Sequence, residues 1–312
     1  MIDYRSYYDD VIDRQKKWAS FITSTILVIF IAATAAKDAP VLMFTGSAAI
    51  IAGAYGFYAQ SIKKYRTRLR LLGSDIPSHW HTLLREHSVY YSSLSEEGQK
   101  LFAQRVAFLL ADVQIDGIDT EADDTVKLLV AASAVIPTFA LPYFDYPNLR
   151  NVLVYSDVFN ERFQTDIDED DEMHNSGMVG TGFLNYTVLL SRRDLLAGFS
   201  GMRTRRNVGI HEFVHLLDKA DGAIDGVPAI LMDHASIPSW LELVGKEMND
   251  IERGRSDIDP YALTDQGEFF AVVCEYFFNS PERCRENHPE LFDALCLIFH
   301  QDPSAVIIPD HH

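Results

Sequence analysis

Val208-Gly-Ile-His-Glu-Phe-Val-His-Leu-Leu-Asp218 is the stretch that decides how this chain reads. Within it His211, Glu212 and His215 form a His-Glu-x-x-His pattern, set among Ile210, Phe213, Val214, Leu216 and Leu217. That apolar density predicts a buried helix. Residues four apart on a helix share a face, one turn apart, so His211 and His215 can present imidazole nitrogens to one ion. Tetrahedral zinc with nitrogen ligands near ~2 Å fits this spacing. Glu212 leaves the neighbouring edge of the same turn, beside the ion and not on it, placed to take a proton from a metal-activated water. The plain alternative is a core helix whose two histidines are only hydrogen-bonded. Asp218, three residues beyond His215, either accepts a hydrogen bond from a ligand imidazole or faces solvent at the helix end.

A third ligand is expected from a later helix, within Asp259-Pro-Tyr-Ala-Leu-Thr-Asp-Gln-Gly-Glu-Phe-Phe-Ala-Val-Val-Cys-Glu-Tyr-Phe-Phe278. Glu268 and Glu275 are two turns apart on one helix face. A carboxylate among Phe269, Phe270, Val272, Val273, Phe277 and Phe278 is costly to bury unless paired or bound to a metal. Either glutamate fits, and Asp265 reads as a helix cap. No further His or Cys is placed to close a fourth position, which favours an open, catalytic ion over a structural one. Cys274, Cys284 and Cys296 are odd in number and lack CxxC spacing, so they form neither a disulfide framework nor a thiolate site, and a reducing compartment is expected.

The formal charge of −18 is unevenly spread. Residues 1–70 hold ten Lys/Arg and five Asp/Glu, a balance of +5, so the remainder carries −23. A part that acidic repels nucleic acid phosphates, so no nucleic-acid partner is expected. Residues 18–36 and 41–61 are uncharged stretches long enough to span ~30 Å of hydrocarbon as helices, joined by a short polar turn at Lys37-Asp38-Ala39-Pro40. Trp18, Tyr55 and Tyr58 sit near their ends, and Ala49, Ala52, Gly53 and Gly56 give small-residue spacing that allows close helix approach. Arg14, Lys16 and Lys17 before the first span and Lys63, Lys64, Arg66, Arg68 and Arg70 after the second place both flanks in the cytoplasm. This predicts an inner-membrane hairpin with the remainder facing the cytoplasm; a buried hairpin of a soluble protein is the alternative.

A break at Gly73-Ser-Asp-Ile-Pro77 divides residues 1–72, the anchor and its basic juxtamembrane segment, from residues 73–312. Beyond it, Trp80, Leu83, Leu84 and Val89 mark a helix capped by Ser78, and Ser95 opens another with Leu101, Phe102, Val106, Leu109 and Leu110 at helical spacing. Strands are expected at 113–119, with a turn at Gly117, and at 152–155. A helix is expected at 123–135. The acidic run Thr165–Glu172 reads as a solvated loop, lacking the glycine and spacing of a calcium loop. Gly177 to Gly182 reads as a turn into a strand. Residues 186–191 are expected to be a strand, either an edge that pairs with an extended peptide substrate or a plain sheet strand. Asp221 to Pro228 is a turn-rich loop, followed by a helix at 237–251 with Trp240, Leu241, Val244 and Met248 on one face.

His-Glu-Phe-Val-His-Leu-Leu-Asp218, Asp225-Gly-Val-Pro228 and Tyr261 to Phe278 resemble the Mlc titration factor A family of bacterial zinc-dependent peptidases. The resemblance covers about residues 75–300. It implies a zincin-like α+β fold, mostly helical with a small mixed sheet, here preceded by the two-helix transmembrane hairpin. It implies one Zn2+ held by His211, His215 and Glu268, with Tyr261 facing the metal, and leaves Glu275 either behind a ligand or as a structural residue of the helix face. The expected function is a membrane-anchored zinc metallopeptidase acting on a peptide or protein, with Glu212 as general base and Tyr261 as oxyanion donor. The alternative is a membrane-tethered binding module that captures a regulatory protein. Members of the family are soluble, and their repressor partner does not carry over on motif residues.

Overall fold

The computed structural model describes residues 3–35, 39–146, 149–157, 177–179, 187–200 and 206–305. The acidic run Thr165–Glu172, the linker residues Lys37 and Asp38, and Tyr186 lie outside them. The chain divides into two compact units, Met1–Asp75 and Ile76–His312.

The first unit is a pair of 32-residue helices, α1 (Tyr4–Ala35) and α2 (Pro40–Leu71). Both are long and apolar enough to cross a membrane. Their apolar windows are only 6% and 0% buried, with Val41 75% and Phe44 72% exposed. Each helix outruns the span expected from sequence: at ~1.5 Å per residue they reach about 48 Å against ~30 Å of hydrocarbon. The additional length packs at the α1 start and α2 end, where Tyr4, Tyr8, Val11, Ile62 and Arg68 are buried. There Arg68 donates to the Tyr8 hydroxyl at 3.1 Å. The small residues do not act as expected. A β-carbon on Gly53 or Gly56 would meet nothing within 4 Å, whereas one on Gly46 would lie 2.2 Å from the Phe30 ring. The close approach is therefore at Gly46, near the turn.

The second unit is mostly helical around a four-stranded mixed sheet in the order β1-β2-β4-β3. β1 (Gln114–Ile118), α6 (Asp124–Thr138) and β2 (Asn151–Tyr155) make a parallel crossover unit. β1 runs through Gly117, and the chain turns instead at Asp119, which has φ 54. β4 (Thr187–Ser191) adds parallel to β2, and β3 (Gly177–Val179) runs antiparallel along its other side. Residues 187–191 are thus not an edge strand: β2 pairs along one side, and β3 pairs with Val188–Leu190 on the other. All five β4 residues are buried, as expected of a strand covered on both faces.

α6 is the central helix, buried from Val126 to Thr138 except at Lys127. Asp123 caps its start, accepting from the Val126 amide at 2.9 Å. Its last carbonyls, orphaned by the helix end, are taken by two buried side chains. Arg105 of α5 (Glu96–Asp112) donates to Thr138 and Phe139 at 2.6 and 2.8 Å, and Gln301 donates to Ile136 and Pro137, both at 3.0 Å. A cation there also complements the negative end of the helix dipole. α3 (Ser78–His87) packs on α6, but Pro77 holds its cap position and Ser78 is its first residue. Val89 opens the separate short α4 (Val89–Ser93) and is 70% exposed, so it belongs to neither the α3 face nor the core.

α7 (Arg192–Gly198) leads into α8 (Val208–Asp218), which carries the His-Glu-x-x-His pattern. After it come α9 (Ile237–Glu252), α10 (Gln266–Asn279), α11 (Pro281–Asn287) and α12 (Pro289–Phe299). On α9, Trp240, Val244 and Ile251 are buried while Leu241 is exposed, so the inward face is narrower than expected. Phe270, Phe277, Phe278 and Phe299 pack ring against ring, tying α10 to α12.

Candidate metal centre

α8 begins at Asn207, whose side chain accepts from the Ile210 amide at 3.1 Å as an N-cap. The helix then plunges into the core, with Ile210, Phe213, Val214 and Leu217 all 0% exposed. It can do so because Gly209 faces Ser133 of α6 with no side chain between the helices. The helix ends in a 3-10 turn at Lys219–Asp221, closed by Gly222 in the left-handed conformation at φ 112.

α10 packs along α8 and brings its first turn to the two histidines. Asp265 is its N-cap, as expected, and fixes the Glu268 amide at 2.9 Å. The loop after α8 braces this arrangement. Asp218 accepts from the Gly226 amide at 2.8 Å, and the Trp240 indole donates to the Gly226 carbonyl at 2.7 Å. Gly226 has φ 74, and a β-carbon there would fall 2.2 Å from the Gln266 carbonyl oxygen, so only glycine fits. Asp218 therefore anchors the loop against the start of α10. It does not reach an imidazole: its Oδ1 and His215 Nδ1 are both buried with no hydrogen-bond partner among the described residues.

Three side chains meet in a small triangle. His211 Nε2 lies 3.1 Å from His215 Nε2 and 3.0 Å from Glu268 Oε2, and His215 Nε2 lies 3.5 Å from Glu268 Oε1. Ligand atoms held ~2.0–2.1 Å from a tetrahedral ion stand about 3.3 Å apart. The three groups fit that geometry, and among the described residues they are the one His/Cys/Asp/Glu group able to hold an ion. Glu275 is not in the triangle. Its Oε1 lies 2.7 Å from His211 Nδ1, on the far side of the ring, and its Oε2 accepts from the Asn207 amide.

The electrostatics are those of a cation site. Burial pushes His211 down, but the hydrogen bonds it donates to Glu268 and Glu275 outweigh it and hold the imidazole well above its usual value. Burial pushes Glu268 up, yet the two imidazoles outweigh it and hold the carboxyl well below the usual carboxylate range. In the metal-free chain a proton thus sits where a divalent ion would neutralise the same carboxylates. Glu212 is 4% exposed and its Oε2 has no partner among the described residues. Burial pushes it up to about 7 against the opposing pull of His211 and His215.

Tyr261 sits on a 3-10 turn at Pro260–Leu263, half exposed, with its ring 6.3 Å from that of His211. Asp259 caps this turn through the Tyr261 amide at 3.0 Å and is gripped by Arg206 at 2.7 Å. Burial pushes the phenol up, with Glu268 and Glu212 adding to the effect.

A family model described as glucose-regulated metallo-peptidase M90 matches residues 62–300, which include every group above. The chain belongs to the M90 metallopeptidase family. Among curated relatives of this M90 chain, an uncharacterized protein of Synechocystis sp. is 31% identical over 238 residues, 72% of this chain and 85% of that protein. Mlc titration factor A of Pectobacterium atrosepticum is 31% identical over 226 residues, 67% of this chain and 81% of that protein. Mlc titration factor A of Cronobacter sakazakii is 27% identical over 220 residues, 67% of this chain and 80% of that protein. The M90 match begins inside α2, so most of the hairpin lies outside it. M90 membership implies a metal, and the triangle suits one.

Two features of the site escape a reading of the motif alone. Asn207 could have been found, because an Asn just before an apolar helix is a standard N-cap signal. The Arg206–Asp259 ion pair that steadies the Tyr261 turn could not, since the two residues are 53 apart in sequence.

Proposed function

We propose that the chain is a zincin-like, membrane-anchored zinc peptidase. His211, His215 and Glu268 would hold one Zn2+. The observation that carries this reading is the triangle of His211, His215 and Glu268, with the two Nε2 atoms 3.1 Å apart and each within 3.0–3.5 Å of one of the two Glu268 carboxylate oxygens, beside a buried Glu212 oxygen with no partner among the described residues. A zinc ion bound there supplies Lewis acidity to a peptide carbonyl and to the attacking water.

The chain's own groups do the rest. Glu212, with a carboxyl poised near neutrality, takes the proton from the water and later delivers it to the departing amine. Tyr261, kept protonated by its raised pKa, donates a hydrogen bond to the carbonyl oxygen as it gains charge. The hairpin of α1 and α2 anchors the protein in the inner membrane, with the basic flanks and the peptidase on the cytoplasmic side. Zinc analysis of the purified chain, with cleavage of a mixed peptide library by the wild type and Glu212→Gln, tests the reading. A metal-free wild type, or equal cleavage by both, would sink it.

A second reading has one specific support. Several relatives are named Mlc titration factor A, a name that speaks of titrating Mlc. Here the acidic soluble part would hold a regulatory protein at the membrane. Binding that survives Glu212→Gln, without peptide cleavage by the wild type, would favour it.

A further inference from the structure

We propose that Glu275 is a positioning residue for the metal centre: it holds the His211 ring so that Nε2, and not Nδ1, is offered to the ion. This rests on the ligand set proposed above and extends it to a residue outside that set.

The argument is geometric. Glu275 lies on α10 two turns after Glu268, so one helix face presents both carboxylates to α8. They take opposite nitrogens of one ring. Glu268 Oε2 lies 3.0 Å from His211 Nε2, and Glu275 Oε1 lies 2.7 Å from Nδ1. The second Glu275 oxygen accepts from the backbone amide of Asn207, the cap residue of the helix that bears His211. Both oxygens of a carboxylate with only 7% of its side-chain surface exposed are thus spent on α8, one on its start and one on its ligand.

The chemistry then fixes the tautomer. A carboxylate oxygen accepts, so each ring nitrogen facing one carries a proton in the metal-free chain, and an ion at Nε2 displaces only the proton that faces Glu268, leaving the one that faces Glu275 on Nδ1. With Nδ1 protonated, Nε2 of the neutral imidazole keeps its lone pair for a metal. A carboxylate behind a ligand imidazole also raises the basicity of the coordinating nitrogen. His215 provides the internal contrast: its Nδ1 is buried with no hydrogen-bond partner among the described residues, so no carboxylate among them holds that ring from behind. Asp218, which sequence spacing made the candidate for this task, is turned instead to the Gly226 amide. The orienting carboxylate comes from α10, not α8.

Glu275→Gln tests the proposal. The amide keeps the size of the side chain but offers one acceptor where two donors, the Nδ1 proton and the Asn207 amide, must be met. Zinc affinity of the full-length chain in detergent is measured by competition with a chelator, well below the melting temperature. The Co2+-substituted protein supplies a visible spectrum that reports coordination geometry. The expected result is a loss of zinc affinity of about 10–100-fold and a shifted Co2+ spectrum. A purely structural Glu275 would lower the melting temperature of the metal-free protein while leaving zinc affinity and spectrum unchanged, and that result overturns the proposal. If Glu275→Gln does not fold, Glu275→Asp keeps the charge but withdraws the oxygens, and the same two readings decide. A wild type that fails to bind zinc would instead mark failure of the ligand set.

Discussion

Gly209 of α8 and Ser133 of α6 stand so close that a β-carbon on Gly209 would fall 2.0 Å from the serine hydroxyl oxygen and 2.8 Å from its β-carbon. The helix that carries the metal motif is seated in the core through this one absence of a side chain, two residues before His211. Gly209→Ala is therefore expected to lower stability by about 1–3 kcal/mol through overpacking, although alanine favours a helix. The displaced helix should also bind zinc less well. Ser133→Gly in the same chain removes the obstructing atoms, so the double variant should recover much of the loss. Denaturant midpoints and zinc content of the single and double variants would show this non-additivity. Additive effects would mean that the contact does not limit the seating of α8.

Glu212→Gln is expected to retain zinc and lose hydrolysis by at least ~10²–10⁴-fold, the usual contribution of a positioned acid–base group. In the proposed site the ion is held by His211, His215 and Glu268, so metal content measured on the same sample should match the wild type. Loss of zinc along with activity would place Glu212 among the ligands and remove it from the proton-transfer role.

Tyr261→Phe should lower kcat by about 10²–10³-fold, the scale of one oxyanion donor, and leave zinc content and KM nearly unchanged. The half-exposed ring contributes little to the core, so stability should hardly move. A drop in stability without a drop in kcat would make Tyr261 a packing residue of its turn. Arg206→Ala, which frees Asp259 from its ion pair, should give a weaker version of the same kcat defect.

Much of the site was legible because its central elements are local. The four-residue spacing of His211 and His215 needs only a helix, and Asp265 announces itself as a cap by the apolar run behind it. The choice between Glu268 and Glu275 was not legible from spacing. Seven residues put both on one face, and what separates them is which nitrogen of His211 each one meets, a matter of how α10 lies along α8. The small residues of α2 misled for a related reason: spacing finds a stripe but not how closely the neighbouring helix approaches it, and Ala49 and Gly53 line a gap toward Trp18, Ile22 and Ile26 while Gly46 meets Phe30. The 186–191 strand was open to an edge reading because sheet order is set by distant pairings. Its unbroken burial from Thr187 to Ser191 is the local mark of an interior strand.

Away from the metal, His288 is held between two carboxylates, Glu247 on Nδ1 at 2.8 Å and Asp257 on Nε2 at 2.9 Å. Asp257 is in turn bound by Arg283 and Asn287, both at 2.9 Å, and by the Tyr276 hydroxyl at 3.0 Å. This network joins α9, α10 and α11 to the loop before Tyr261. Burial pulls the imidazole down, but the two carboxylates outweigh it and raise its pKa above the ordinary 6.5. A group raised in the folded state stabilises fully below its unfolded pKa, and that stabilisation fades as pH climbs through the higher folded value. His288→Gln should therefore destabilise most at pH 6, by roughly 3 kcal/mol as expected for breaking a buried pair, and progressively less in alkaline solution. Denaturant midpoints of the metal-free wild type and variant, compared across that range, would reveal a gap that narrows with rising pH. A constant gap would mean that His288 is neutral in the folded chain and acts only by filling space.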